Sequence, residues 1–428
     1  MAAVVDADLI PVIAPARARQ VAAVVAGNAL EFYDFLTYAF FAAQIGRTFF
    51  PSADPSSSLL ASLATFGAGF LMRPVGALVI GRLGDRFGRK PAMLLSFGLM
   101  GVAMIALALT PSYKAIGVLA PALAIFCRLV QGFALGGEVG PNTAYLIEAA
   151  PARRRGLYVG FQFMSQDVAV LASGLVGLAL SSAMNDAALY AWGWRAAFLL
   201  GALIVPFGLM LRNGLGETLH AVAAAPEQAP RHATRLSLIV VLGLAMLTGG
   251  TVVTYVLNYL TTYAGSTLHM ATRATFLPTV ATGLTGLVFA PLGGWLSDRF
   301  GRRPVMLIPA AILLIIAIPG FQLLARERTV LALIGMAVVF RICIAMSFAS
   351  VLASVAESLP ARIRAGALGL IYAFAISVFG GTTQFAVAWL NHATGNPLAP
   401  GWYMTAAVAI GLTAMTLMPE TAPSRNRP

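Results

Sequence analysis

Seven ionisable side chains fall inside segments that are otherwise apolar: Glu31, Asp34, Arg73, Arg128, Glu138, Asp167 and Arg341. A charge in hydrocarbon is costly unless it is paired or faces water, so each is a candidate for chemistry. An arginine grips a carboxylate through two parallel N–H bonds. A carboxyl group beside an arginine changes its protonation as that pairing changes. Side chains of these two kinds can bind an anion and move a proton. Arg128 lies 14 residues past Lys114, and Arg341 lies 13 past Arg328. At about 1.5 Å per residue, both stand roughly 20 Å along their helices, near mid-membrane. Two guanidiniums at equivalent depth, facing one cavity, would suit an anion with more than one carboxylate; the plainer reading is that each neutralises a nearby acid.

The acids divide by position. Glu31 lies 12 residues past Arg19, and Asp34 is a turn further along a similar face. Both are candidates for proton coupling, in the neighbourhood of Arg128, or else for a static salt bridge that fixes helix packing. Glu138 sits in the glycine-rich run GFALGGEVG, where it would relay protons, gate or hold structure. Asp167, in the run SQD, is a further residue for the cavity. Gln131, a turn beyond Arg128, is placed to donate to a carboxylate. Tyr255, Asn258, Tyr259, Thr262 and Tyr263 form a polar-aromatic stripe at helical spacing. The stripe would line the cavity, with Asn258 and Tyr259 as substrate contacts, or form a packing seam. Gln384 and Asn391 are further candidates on a later segment.

Helices in lipid must position these residues. The chain has 428 residues, of which 59% are hydrophobic and 10% charged, with a mean hydropathy of +0.83. A soluble domain is closer to a quarter charged. Spanning hydrocarbon takes roughly 20 apolar residues. Twelve such segments are predicted, at 20–44, 58–81, 92–110, 115–149, 156–182, 195–213, 236–263, 272–297, 305–324, 329–358, 365–392 and 401–418. They are expected to be helices, because backbone groups in lipid must bond within their own segment. With the N-terminus inside, loop Arg and Lys number 19 on the cytoplasmic side and 6 outside. That bias places both termini in the cytoplasm. The polar stretch 214–235 is the longest connection. It divides the chain into a cytoplasmic tail 1–19, six helices over 20–213, the linker, six helices over 236–418, and a tail 419–428.

A fourteen-residue pattern supports duplication of the two halves. It reads GRLGDRFGRKPAML from Gly81 and GWLSDRFGRRPVML from Gly294, 213 positions apart, the spacing that also separates Arg128 from Arg341. Asp85 and Asp298 are placed to accept backbone N–H bonds at the start of the following helix. The adjacent Arg86, Arg89, Arg299 and Arg302 would bind acids on neighbouring helix ends, such as Glu148 and Glu357. The expected role of this set is a latch that closes the cytoplasmic side in one state and opens in the other.

Other classes find little support. The formal charge is +12, but it is spread over many short loops, unlike a nucleic-acid surface. Cys127 and Cys343 both lie in apolar segments and offer no disulfide framework. No P-loop, metal-ligand cluster or convincing catalytic triad is visible in the sequence. No enzyme activity and no cofactor are expected, with the proton as coupling ion. The N-terminus is a poor signal peptide.

The two loop patterns, with GNALEFYDF, GFLMRPVGA and RLVQGFALGGEVG, resemble the major facilitator superfamily in its metabolite–proton symporter branch. WGWR and FGG…TGNPLAPGW are similar to the bacterial citrate–proton symporters of that branch. The resemblance implies an all-α integral membrane fold: twelve transmembrane helices in two pseudo-symmetric six-helix bundles around a central site. It implies alternating access in the bacterial inner membrane, driven by protons, with a tri- or dicarboxylate such as citrate as substrate. A keto acid, a shikimate-like acid or a betaine is the alternative, and a zwitterion would need an acid in the site as well as an arginine. A non-transporting sensor would call for an added soluble domain or long tail. The resemblance also maps Asp34 and Arg128 onto a proton-responsive pair. It implies uptake rather than drug export, since the fifth segment lacks the Gly-Pro motif of drug antiporters. Asp167 and Arg341 depart from the branch pattern, and such an added acid and base would alter substrate or coupling stoichiometry. The partners expected are a small carboxylate, protons and the lipid bilayer, with no nucleic acid, and the protein is expected to be a monomer.

Overall fold

The computed structural model describes residues 28–29, 32–87, 89–136, 143, 146–147, 150–213, 236–360 and 363–423. Glu31, Glu138, Glu148 and the linker 214–235 lie outside them, as do the side chains of Asp85, Arg86 and Arg89. Every regular element among the described residues is helical. Seven helices there are long and apolar enough to cross a membrane. Helix α1 covers residues 32–40 and, past a turn at Phe41, Ala42–Phe49; α2 is Pro55–Leu71 and Arg73–Phe87; α3 is Arg89–Leu109; α4 is Leu119–Leu135. Then come α5 (Arg155–Ala183), α6 (Trp194–Asn213), α7 (Leu236–Ser266), α8 (Thr272–Phe300), α9 (Arg302–Glu327) and α10 (Val330–Ser358). Helix α11 is Arg364–Ala375 and Gly381–Thr394, on either side of a wider π turn at Ile376–Gly380; α12 is Ala399–Leu417.

Helix ends depart from the expected segments where a specific contact holds them. α1 runs on to Phe49, whose ring packs edge-on against Trp194 at 5.4 Å. The second charged pattern is not an open loop. Asp298 and Arg299 belong to the last turn of α8, and Arg302 already starts α9. Gly301 alone makes the turn, with φ 106°, a conformation that only glycine adopts cheaply. α2 begins on Asp54, which accepts the Ser57 hydroxyl at 2.8 Å and the Ser56 and Ser57 N–H groups at 3.0 Å. These bonds, the Ser57 hydroxyl foremost, hold the Asp54 carboxyl below its ordinary range. Arg195, at the start of α6, donates to the carbonyls of Ala108 and Thr110 at 2.6 and 2.7 Å, closing the end of α3.

Helices α1–α6 form one set and α7–α12 another, each packed mainly within itself except that α5 and α8 are each other's main neighbour; the sets also meet along α2 with α11. Lipid tails are as apolar as leucine, so helices associate in it mainly through close packing and polar contacts. Glycines supply that closeness. Where α2 crosses α4, a Cβ on Gly132 would fall on the Gly69 carbonyl, and one on Gly76 would fall on that of Phe133. Along α5 and α8, Gly156 and Gly294 meet backbone to backbone. Further on, a Cβ on Gly160 would meet the Ala290 carbonyl, and one on Gly283 would meet the Leu171 backbone. The seam between the two sets is therefore tight along much of these two long helices. Overpacking such a contact costs about 1–3 kcal/mol. Gly132→Ala should lower the thermal unfolding midpoint of the detergent-solubilised protein. Gly98→Ala, whose Cβ would meet nothing within 4 Å, should leave it unchanged; equal midpoints for the two variants would contradict this packing.

Candidate functional site

The residues singled out in the sequence form two buried assemblies and one clasp. In the first assembly, α1 presents Asp34 and α4 presents Arg128 and Gln131, all at most 1% exposed. Gln131 stands between the charges: its amide N–H donates to Asp34 Oδ1 at 3.1 Å, and its carbonyl accepts from Arg128 Nη1 at 2.7 Å. The direct approach of Arg128 Nη1 to Asp34 Oδ2 is 3.9 Å, beyond an ordinary hydrogen bond. Rings close over the guanidinium, with Cζ 4.5 Å from the centroid of Tyr38, 5.3 Å from Phe66 and 5.5 Å from Phe35. Such faces stabilise a desolvated cation. Asp34 Oδ2 keeps no hydrogen-bond partner. The acid is thus half-bonded through a relay amide, and a proton on it would change the whole cluster.

In the second assembly, Arg341 of α10 donates to Asp167 Oδ1 of α5. Asp167 is fully buried and Arg341 is 11% exposed at its side chain. Both line a central cavity of about 50 Å³, together with Asn258 and Tyr255 of α7 and an aromatic wall that includes Phe163 and Phe348. That volume holds about four waters. The notch that seats Asp167 comes from Gly286 of α8, where a Cβ would fall on the carboxylate. The pair thus spans the two helix sets. The two residues that depart from the branch pattern are each other's partners.

The two arginines do not share the cavity: Arg341 lines it, while Arg128 lies behind Phe35, committed to Gln131 and Asp34. The expected two-arginine grip is not formed in this structure, where each guanidinium takes the nearest acid of its own surroundings. Of the helix α7 stripe, Tyr255 and Asn258 reach the cavity, whereas Tyr259 is buried beside Tyr263 at 6.3 Å between centroids. Helical spacing alone does not fix which edge of a stripe faces the void. Gln131 and Gln384 also lie away from the cavity. Gln384 is buried in α11. Arg73 stacks on Phe70 at 4.3 Å and Phe35 at 4.9 Å.

The clasp occupies the end of the molecule that carries the second charged pattern. Asp298 accepts the N–H groups of Gly156 and Leu157, at 2.8 and 2.9 Å, from the first turn of α5. The expectation was the start of the next helix. The acid caps α5 instead because that helix abuts α8 and offers unpaired donors at its positive end. Glu420 takes the N–H groups of Arg302 and Arg303, at 2.8 and 3.0 Å, and so caps α9. Arg302 grips Glu357 with Nε at 3.1 Å and Nη2 at 2.9 Å, and reaches Asp298 at 2.8 Å. Arg299 is exposed, its guanidinium over Trp295 and Phe300. Glu420 and the aromatic cavity wall were not singled out in the sequence. An acid past the last helix gives no sign of which helix start it caps, and aromatic residues in an apolar helix do not announce which face is inward.

Comparison with known proteins agrees with this architecture. The sequence profile of the Major Facilitator Superfamily matches residues 24–381 and 277–428. The chain is 35% identical over 404 residues to the citrate-proton symporter of Klebsiella pneumoniae, covering 93% of this chain and 91% of that protein. It is also 35% identical over 423 residues to the proline/betaine transporter of Escherichia coli K12, covering 94% and 83%. Among solved structures, the partially occluded inward-open form of the xylose transporter XylE from E. coli superposes with a TM-score of 0.76 at 19% identity, covering 94% and 98% of the two chains. With helices, seam and buried pairs arranged in this way, and relatives matched over nearly the whole length, the chain belongs to the major facilitator superfamily of membrane transporters.

Proposed function

We propose that this protein takes up a small carboxylate-bearing metabolite together with protons across the bacterial inner membrane, by alternating access, as a monomer with both termini in the cytoplasm. One observation carries the reading: an acid–amide–arginine cluster, Asp34–Gln131–Arg128, is sealed behind the aromatic wall of a cavity that holds its own arginine. The first cluster has the parts to bind a proton, and Arg341 has the fork to hold a carboxylate. Relatives named as citrate–proton symporter and proline/betaine transporter support a carboxylate-bearing substrate. They leave a tri- or dicarboxylate such as citrate and a betaine as the readings for it. The loop-charge bias supports the orientation.

In this mechanism a proton on Asp34 loosens its hold on Gln131 and Arg128, so that α1 and α4 can shift relative to each other. The substrate meets Arg341 in the cavity. Closure at the clasp end is held by Asp298, Arg302 and Glu357, and these contacts break when that end opens to the cytoplasm. Glu31 and Glu138 are further candidates for the proton path.

Asp34→Asn mimics the protonated acid permanently. In proteoliposomes it should abolish accumulation driven by an imposed pH gradient while retaining counterflow exchange without one. Gradient-driven accumulation by Asp34→Asn would remove Asp34 as the coupling acid. Arg302→Lys keeps the charge and loses the fork. It should weaken the clasp by about 1–3 kcal/mol, as for a lost charged hydrogen bond. The variant should therefore raise the labelling rate of a cysteine placed at Ser297, beside the guanidinium at 2.6 Å. Equal labelling rates with Arg302 and Lys at position 302 would mean that the grip on Glu357 does not hold this end closed.

A further inference from the structure

We infer that the substrate is a zwitterion that inserts between Asp167 and Arg341, its cationic group going to Asp167 and its carboxylate to Arg341. The inference rests on the uptake reading above and names the substrate class of the same cavity. Asp167 and Arg341 are the two charged side chains among the described residues that line the cavity, so their charges balance in the described lining. Each still has capacity to bond: Asp167 Oδ2 and Arg341 Nε have no hydrogen-bond partner. Arg128, the other deep arginine named in the sequence, is held by Gln131 and Asp34 and is not free to neutralise a second carboxylate.

These constraints discriminate between substrate charges. A tri- or dicarboxylate entering this cavity competes with Asp167 for Arg341. It also brings its own negative charges beside a fully buried carboxylate. Asp167 cannot readily withdraw, because α8 encloses it at Gly286. Burying an uncompensated charge is among the costliest local events in a protein. A zwitterion instead replaces one ion pair by two, and leaves neither residue alone. The aromatic wall assists: Phe35, Phe163, Tyr255 and Phe348 all line the cavity. Ring faces attract alkylated ammonium groups. Asp167 belongs to α5 and Arg341 to α10, so such a substrate also takes over the bridge between the two helix sets. Binding and closure would then be a single event.

The test uses thermal unfolding of the purified full-length protein in detergent, with glycine betaine, proline, succinate and citrate as separate ligands. It adds tert-butylacetate, the isostere of glycine betaine in which carbon replaces the charged nitrogen. Glycine betaine or proline should raise the unfolding midpoint in a saturable way. Citrate and succinate should not, and tert-butylacetate should bind about tenfold more weakly than glycine betaine, as for loss of a charge-assisted contact. Asp167→Asn should weaken zwitterion binding by a similar factor and give the now cationic cavity a measurable affinity for succinate. Stabilisation of the wild type by citrate or succinate and not by the zwitterions overturns the inference. So does equal binding of glycine betaine and tert-butylacetate, or no binding of either zwitterion. If Asp167→Asn fails to fold, the comparison of the two isosteres on the wild type still decides. A carboxylate taken up in an Asp34-dependent, pH-driven way would leave the uptake reading standing while this inference falls.

Discussion

A charge buried in hydrocarbon must have a counter-charge within reach, and much of this structure follows from that requirement. Arg128 and Arg341 each stand deep in a helix, with an acid supplied by another helix. The pairings differ in a way that matters. Asp34 and Arg128 both belong to the first helix set, and Gln131 joins them into a unit that can rearrange inside that set. Asp167 and Arg341 belong to different sets and lie in the cavity itself. In the proposed mechanism the first cluster exchanges a proton without touching the substrate, and the second is interrupted by the substrate. On that reading the two jobs that a symporter must couple fall to two neighbouring assemblies, separated by the ring of Phe35.

Close helix approach supports both. Gly69 and Gly132 let α2 and α4 meet at their backbones, which fixes the helix that carries Arg128. Gly286 makes the notch that seats Asp167, and Gly156 against Gly294 brings the first turn of α5 within reach of Asp298. The clasp thereby uses the free N–H groups of a helix start as its partner. It draws α5, α8, α9, α10 and the segment at Glu420 into one polar knot. In the proposed mechanism this knot holds while its donors are matched and separates when α5 and α8 part.

The fold was legible in the sequence because hydropathy and the repeat at 213 positions are strong, redundant signals. The pairing of Asp34 with Arg128 followed from the resemblance, and the grip of Arg302 on Glu357 from the charged pattern. The destination of Arg341 was not legible. Depth along a helix gives height in the membrane but not the direction of the side chain around the axis, so two arginines at equal height looked equivalent. The structure turns one inward to the cavity and the other behind an aromatic screen. Asp298 caps α5 rather than the next helix for a related reason: a capping acid takes whichever unpaired N–H groups packing delivers, and packing of α5 on α8 is a long-range event. The polarity of Tyr259 and Gln384 points to substrate contact, yet each is buried away from the cavity.

Assigning proton exchange to Asp34 and substrate charge to Asp167 can be tested without transport. Infrared difference spectra of the purified protein between acidic and alkaline pH follow the carbonyl band of a protonated carboxyl group. A band that Asp34→Asn removes and Asp167→Asn preserves is the predicted result. A band untouched by Asp34→Asn and abolished by Asp167→Asn would contradict it, and would place the coupling proton in the cavity itself.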